Sequence, residues 1–260
     1  MTDPRTTPLR NGVAVTNGTP HTIARGRAPL RNAPSHDAIQ DNELLFGESV
    51  IVFESANGWA WCQSAVDHYV GYIHTIALRE PVTPDHRVTA LSTPLLAGAD
   101  IKRASRDLLP FNAQVKVLER ANGHARIAPD GYIFDGHLAA LDYQAPDWVA
   151  TAERFVGTPY VWGGKTHAGM DCSGLLQTAL AGSGITAPRD ADMQETALGK
   201  DCAQLPRRRG DLVFWNGHVG IMLDETRLLH ANSFHMQVES EPLAQALARI
   251  AGPLTAIKRM

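Results

Sequence analysis

The spacing of apolar residues along the chain changes character once. Up to about residue 140 it alternates, with Val50 and Val52 followed by Trp59 and Trp61, and later Val115 and Val117 followed by Ala125 and Ile127. A period of two marks strands with one buried face, and an Asn-Gly pair between two such runs marks a hairpin. The stretch also repeats itself. Leu44-Leu45-Phe46 has a partner in Leu108-Leu109-Pro110-Phe111, and Ala56-Asn57-Gly58 returns 65 positions later as Ala121-Asn122-Gly123. Gly71-Tyr72-Ile73 returns 60 positions later as Gly131-Tyr132-Ile133, so the first copy has the longer connection. Two small β-barrels of roughly 60 residues each are expected. Residues 1 to about 40 are rich in Pro, Arg, Asn and Thr and read as irregular extended chain without a core of its own.

From about residue 145 the period becomes helical. Trp148, Ala152, Phe155 and Val156 share one face of a helix expected over Asp147 to Val156. A second helix opens at Asp171-Cys172, carries Leu175, Leu176, Ala179 and Leu180 as its apolar stripe, and ends at Gly182 and Gly184. A third is expected over Asp190 to Leu198. Strands follow at Asp211–Trp215, His218–Leu223, Arg227–Ala231 and Met236–Ser240, then a helix from Pro242 to Ile250 and a strand at Leu254–Lys258. Helices first and antiparallel strands afterwards make an α+β domain. The expected division is 1–80 for the N-terminal extension with the first barrel, 81–143 for the second barrel and 144–260 for the α+β domain.

Composition narrows the function. The 260 residues are 44% hydrophobic and 20% charged, which is globular. Lys plus Arg is 24 against 27 Asp plus Glu, a net charge of -3, so no basic excess points to nucleic acid or a membrane surface. Three cysteines, Cys62, Cys172 and Cys202, with no C-x-x-C, argue against a disulfide framework and a structural zinc site. The first residues lack a continuous apolar segment and no run approaches 18 apolar residues, so a soluble cytoplasmic protein is expected.

The chemistry centres on Asp171-Cys172-Ser173-Gly174-Leu175. Asp171 suits an N-cap, which puts Cys172 in the first helical turn, where the helix dipole favours thiolate. The glycines at 163, 164 and 169 allow a substrate backbone close approach. A nucleophilic thiol needs a base, and His218 begins a strand 46 residues on. His230, 12 residues further, is expected on the neighbouring strand, where it can orient that imidazole. The same three side chains would also suit zinc, though a helix N-terminus favours a free thiolate. Cys62 and Cys202 are expected to be inert and His235 to face solvent.

In this order and spacing the segments Thr158-Pro159-Tyr160-Val161-Trp162-Gly163-Gly164, Asp171-Cys172-Ser173-Gly174-Leu175, Arg209-Gly210-Asp211-Leu212-Val213-Phe214, His218-Val219-Gly220-Ile221 and Leu229-His230-Ala231 resemble the NlpC-type cell-wall cysteine peptidases, and the two repeats resemble bacterial SH3 domains. The resemblance implies a papain-like catalytic domain preceded by two SH3-like barrels. It implies Cys172 as nucleophile, His218 as base, His230 as third polar residue and Tyr160 as a partner of the Cys172 amide in an oxyanion site.

With two SH3 copies in front, the chain is similar to the branch that cuts between γ-D-glutamate and the diamino acid of short murein peptides bearing a free N-terminal L-alanine. That branch implies Tyr69, which aligns with Pro129 and has no counterpart in the second copy, as a substrate-capping tyrosine. It implies Asp171, Ser173 and Glu48 as further substrate contacts, a murein peptide as partner, and no cofactor, metal, nucleic acid or membrane. Where the branch often has serine after Pro188-Arg189-Asp190, this chain has Ala191. Two other functions share the pattern: a cell-wall peptide-binding protein with an inactive peptidase domain, and a papain-like acyltransferase.

Overall fold

The computed structural model describes residues 3–260. The chain forms two compact units, Met1–Tyr143 and Gln144–Met260. In the first, a seven-stranded antiparallel sheet runs Gln40–Leu45, Arg27–Arg31, Val70–His74, Trp59–Ser64, Ser49–Ala56, Thr19–Ile23 and Leu78–Arg79 in spatial order. Its core holds Ile23, Leu30, Leu44, Val50, Ala60, Cys62 and Ile73, all at most 1% exposed. Two of these lie before residue 40, which corrects the expectation of coreless extended chain there. Pro20 and Pro29 read as breakers, yet both lie in strands: Arg27–Arg31 alternates, with Ala28 and Leu30 buried, and Thr19–Ile23 buries Thr22 and Ile23 at its end.

The second half of this unit repeats the plan with a five-stranded and a three-stranded antiparallel sheet. Its core is Val88, Leu95, Leu109, Ala113, Val115, Ile127 and Ile133, joined by Phe46 from the first copy. The Asn-Gly pairs form the hairpins: Asn57 and Gly58, and Asn122 and Gly123, all have positive φ, as a two-residue primed turn demands.

The second unit packs four helices, α1 (Trp148–Glu153), α2 (Cys172–Gly182), α3 (Ala191–Ala197) and α4 (Leu243–Arg249), with an antiparallel sheet. The sheet order is Lys200–Asp201, Ala256–Arg259, Asp211–Trp215, His218–Met222, Arg227–Asn232, Gln237–Pro242. Every residue of α2 except Ala181 is buried, so its apolar surface extends well beyond one stripe, as a core helix requires. It lies against α1 and the strands His218–Met222 and Arg227–Asn232. Its end is a Schellman turn, in which Gly184 at φ +74° donates to the Ala181 carbonyl and Ile185 to the Leu180 carbonyl. No helix among the described residues is long and apolar enough to cross a membrane.

Candidate active site

Cys172 is the first residue of α2, and Asp171 caps the helix by accepting from the Gly174 N–H. Gly174 is required for space: a Cβ there would lie 2.2 Å from the Gly164 carbonyl oxygen. Gly174→Ala is therefore expected to cost about 1–3 kcal/mol and to lower the thermal midpoint, since backbone cannot yield as a flexible side chain does. An unchanged melting curve would contradict that close contact.

The Cys172 thiol is 7% exposed. It receives the backbone N–H groups of Val219 and Ser173, so its sulfur sits against the strand that begins at His218. Burial nevertheless pushes the thiol up to about 12, with the Asp171 charge adding to it. This differs from the expectation of a thiolate favoured by the helix terminus. A rise from 9.0 to about 12 corresponds to about 4 kcal/mol, whereas a helix terminus supplies about 0.3–1 kcal/mol. Burial thus works against the helix terminus, and the thiol needs a base to take its proton.

That base is within reach of the same strand. His218 begins Met222's strand, whose Ile221 pairs with Leu229, and His230 occupies the next strand on the same face. The Nε2 atom of His218 lies 2.8 Å from Nδ1 of His230. Burial, then the neighbouring His230 and Arg249 charges, hold His218 down at about 3, so the imidazole is neutral and able to accept a proton. His230 is fully buried, and its Nε2 lies 2.7 Å from a carboxylate oxygen of Glu241. Glu241 in turn receives both terminal nitrogens of Arg249. Tyr160 lines a cleft of about 450 Å³ with Gly217, His218, Asn232, Phe234 and Arg249. Burial first, and the Cys172 and Asp171 charges next, push its hydroxyl above the ordinary value, so it remains an O–H donor.

The structure gives Asp171 more partners than a cap alone. One oxygen accepts from the Gly174 N–H at 2.7 Å, Arg189 Nη1 at 2.9 Å and the Ser173 hydroxyl at 3.3 Å. The other accepts from the Gly163 N–H at 2.8 Å and Arg189 Nη2 at 2.7 Å. Ser173 Oγ also accepts from Arg189 Nη1. Arg189, 1% exposed, is a site residue that the sequence reading passed over, as are Glu241 and Arg249. Ala191 is the buried first residue of α3.

Tyr69 and Glu48 belong to the first unit. Tyr69, 6% exposed, packs in the first barrel's core, with its N–H donating to Asp67. Glu48, 5% exposed, accepts the Leu45 N–H across a turn. His235 is half-buried, with its N–H bonded to Asn232, and does not face freely into solvent as expected. Among the described residues no group of three or more His, Cys, Asp or Glu side chains is arranged to hold a metal ion.

Residues 157–249 match the NlpC/P60 family, and residues 30–78 match the bacterial dipeptidyl-peptidase Sh3 domain. The chain is 30% identical over 200 residues to dipeptidyl-peptidase 6 of Lysinibacillus sphaericus, covering 74% of this chain and 68% of the relative. It is 25% identical over 237 residues to the gamma-D-glutamyl-L-lysine dipeptidyl-peptidase of Bacillus subtilis (strain 168), covering 81% of this chain and 78% of the relative. A crystal structure of an NlpC/P60 family protein from Bacillus cereus ATCC 10987 shares the fold, with a TM-score of 0.78 at 19% identity over 93% of this chain and 99% of that one. The papain-like α+β unit follows an SH3-type barrel, and the chain belongs to the NlpC/P60 family and is a cysteine peptidase.

Proposed function

We propose that the chain hydrolyses the bond between γ-D-glutamate and the diamino acid in murein peptides with a free N-terminal L-alanine. The observation that carries this reading is the buried Cys172 sulfur against Val219, on the strand that opens with His218, whose ring is bonded to His230. The name of the Bacillus subtilis relative, a gamma-D-glutamyl-L-lysine dipeptidyl-peptidase, supplies the bond type.

In this mechanism His218 takes the Cys172 proton as the sulfur attacks the γ-carbonyl carbon. The carbonyl oxygen gains the negative charge, and the Tyr160 O–H and the Cys172 backbone N–H stabilise it. His218 then passes its proton to the departing amine of the diamino acid, leaving a thioester. Water attacks the thioester with His218 again as base, releasing L-Ala-γ-D-Glu and restoring the thiol. His230 holds the ring in place throughout.

At the amine end, an ammonium approaching Asp171 meets a carboxylate already paired with Arg189 and a Ser173 hydroxyl already bonded to both. A part for Tyr69 and Glu48 in amine recognition rests on the sequence resemblance and on the match of residues 30–78 to the dipeptidyl-peptidase barrel. A free L-alanine exists only after the stem peptide has left its sugar, which favours recycling of released peptides in the cytoplasm.

The test compares L-Ala-γ-D-Glu-diamino-acid peptides with free and acetylated N-termini, with products read by mass. Acetylation removes a charge and adds bulk. Losing one charge-assisted hydrogen bond costs about 1.5–3 kcal/mol, or more than about tenfold in rate. Tyr69→Ala is expected to raise KM or relax the demand for the free amine. Equal turnover of the two peptides by the unaltered protein would overturn the amine requirement.

A further inference from the structure

The hydrogen-bonded line does not stop at His230. Glu241 is the penultimate residue of the strand Gln237–Pro242, opposite Leu228, and so lies diagonally from His230, whose direct partner is Glu239. One of its oxygens is 2.7 Å from His230 Nε2, and it is 5% exposed. Arg249, the last residue of α4, turns back to hold both oxygens of Glu241 while its guanidinium lies 4.3 Å from the centre of the Phe234 ring. The seven-residue helix between them thus returns a cation to the carboxylate that precedes it.

We infer that Glu241, clamped by Arg249, is a positioning residue that fixes which nitrogens of His230 and His218 carry protons. The inference rests on the roles proposed above for Cys172 and His218. An ionised carboxylate only accepts hydrogen bonds, so His230 Nε2 must donate to it. A neutral His230 then presents Nδ1 as an acceptor, and His218 Nε2 must donate to that nitrogen. This leaves His218 Nδ1 bare, the one ring nitrogen able to receive the thiol proton. Two successive hydrogen bonds therefore carry the choice of tautomer from Glu241 to the base.

The carboxylate is held ionised: the Arg249 hydrogen bonds first, and His230 with them, bring Glu241 down to about 2 despite its burial. Burial keeps His230 neutral, with Glu241 working against that shift and Arg249 and His235 adding to it. The charged and titratable groups around His218 include His230, Arg249, Asp171 and Glu241, with Tyr160 across the cleft and the Cys172 thiol on the adjoining helix start. When His218 takes the thiol proton, Glu241 stabilises the resulting cation through His230, and Arg249 opposes it. Removing one or the other should thus have opposite consequences.

The experiment uses the full chain carrying Glu241→Gln, Glu241→Asp or Arg249→Met. It follows the pH dependence of iodoacetamide alkylation at Cys172, assigned by peptide mass, beside kcat and KM for peptide hydrolysis. In Glu241→Gln the amide can donate as well as accept, and its charge is gone. We expect kcat to fall about 10- to 100-fold with KM little changed. The acid limb of the profile, set by protonation of His218, should move down, because the imidazolium loses the stabilising carboxylate. Glu241→Asp keeps the charge and should return that limb towards its original position. Arg249→Met removes the opposing cation and should move the same limb up.

Glu241→Gln with the acid limb in place and only a lower thermal midpoint would reduce Glu241 to a structural ion pair and overturn the inference. So would Arg249→Met shifting that limb in the same direction as Glu241→Gln. Alkylation needs no peptide substrate, so an error in the proposed peptide bond leaves this test intact. If Cys172 alkylation showed no dependence on His218→Ala, the underlying base assignment would fail instead.

Discussion

Cys172→Ala should abolish peptide hydrolysis and leave the fold in place. The substitution removes one sulfur at the first position of α2 and introduces a residue that helices accept readily. Loss of a nucleophile that works together with its base typically costs at least about 10⁴-fold, because no other group inherits the covalent step. The controls are the other two thiols, which differ from Cys172 in surroundings and not in gross burial. Cys62 is fully buried in the first barrel, and burial pushes it up to about 12, as it does Cys172. Cys202 is 5% exposed in the second unit, and burial again raises it.

A high thiol pKa therefore does not distinguish the nucleophile. Cys172 alone is at the start of a helix and packed against the strand that opens with His218. Cys62→Ala and Cys202→Ser are expected to keep most activity, and His218→Ala to lose about 10²–10⁴-fold through proton transfer. His230→Gln, whose amide can still bond the His218 ring, should lose less. Similar losses at all three cysteines would remove Cys172 from its role, and a greater loss for His230→Gln than for His218→Ala would exchange the two histidines.

The site was legible in the sequence to the extent that it is local. The Asn-Gly hairpins, the Asp171 cap and the strands that bear His218 and His230 follow from short-range patterns, and the structure has each of them. The groups that were not foreseen act over distance in the chain. Arg189 reaches Asp171 across 18 positions and Glu241 reaches His230 across 11. A lone arginine in Pro-Arg-Asp and a lone glutamate before a proline carry no period and no capping signal. The burial of Cys172 was not legible for a related reason. A helix terminus can be read locally, whereas the desolvation that outweighs it is set by the whole packed unit. The strand Arg27–Arg31 was missed because arginine and proline occupy its outward positions while Ala28 and Leu30 alternate inward, and Thr19–Ile23 because its burial is confined to Thr22 and Ile23 and does not alternate.

Arg189→Met should be among the most destabilising single changes in the second unit. Its guanidinium makes two parallel bonds to Asp171, at 2.9 and 2.7 Å, with side-chain exposures of 1% and 8% for the two residues. An exposed pair of this kind would contribute no more than about 1 kcal/mol. Breaking a buried pair is different, because the surviving charge keeps its desolvation penalty and loses its partner, typically costing about 3–5 kcal/mol. Asp171 would still receive the Gly163 and Gly174 N–H groups and the Ser173 hydroxyl, which places the expected loss at the lower end of that range. Thermal unfolding should show the second unit's midpoint falling by roughly 12 °C at about 4 °C per kcal/mol. Asp171→Asn added to Arg189→Met should recover part of it, since the unpaired charge is then gone. The same variant has a chemical signature. Arg189 opposes the upward push that Asp171 exerts on the Cys172 thiol, so its removal should slow alkylation of Cys172 at a fixed neutral pH. A midpoint shift within that of a surface substitution, with unchanged alkylation, would mean that the Asp171–Arg189 pair neither secures the start of α2 nor tunes the sulfur beside it.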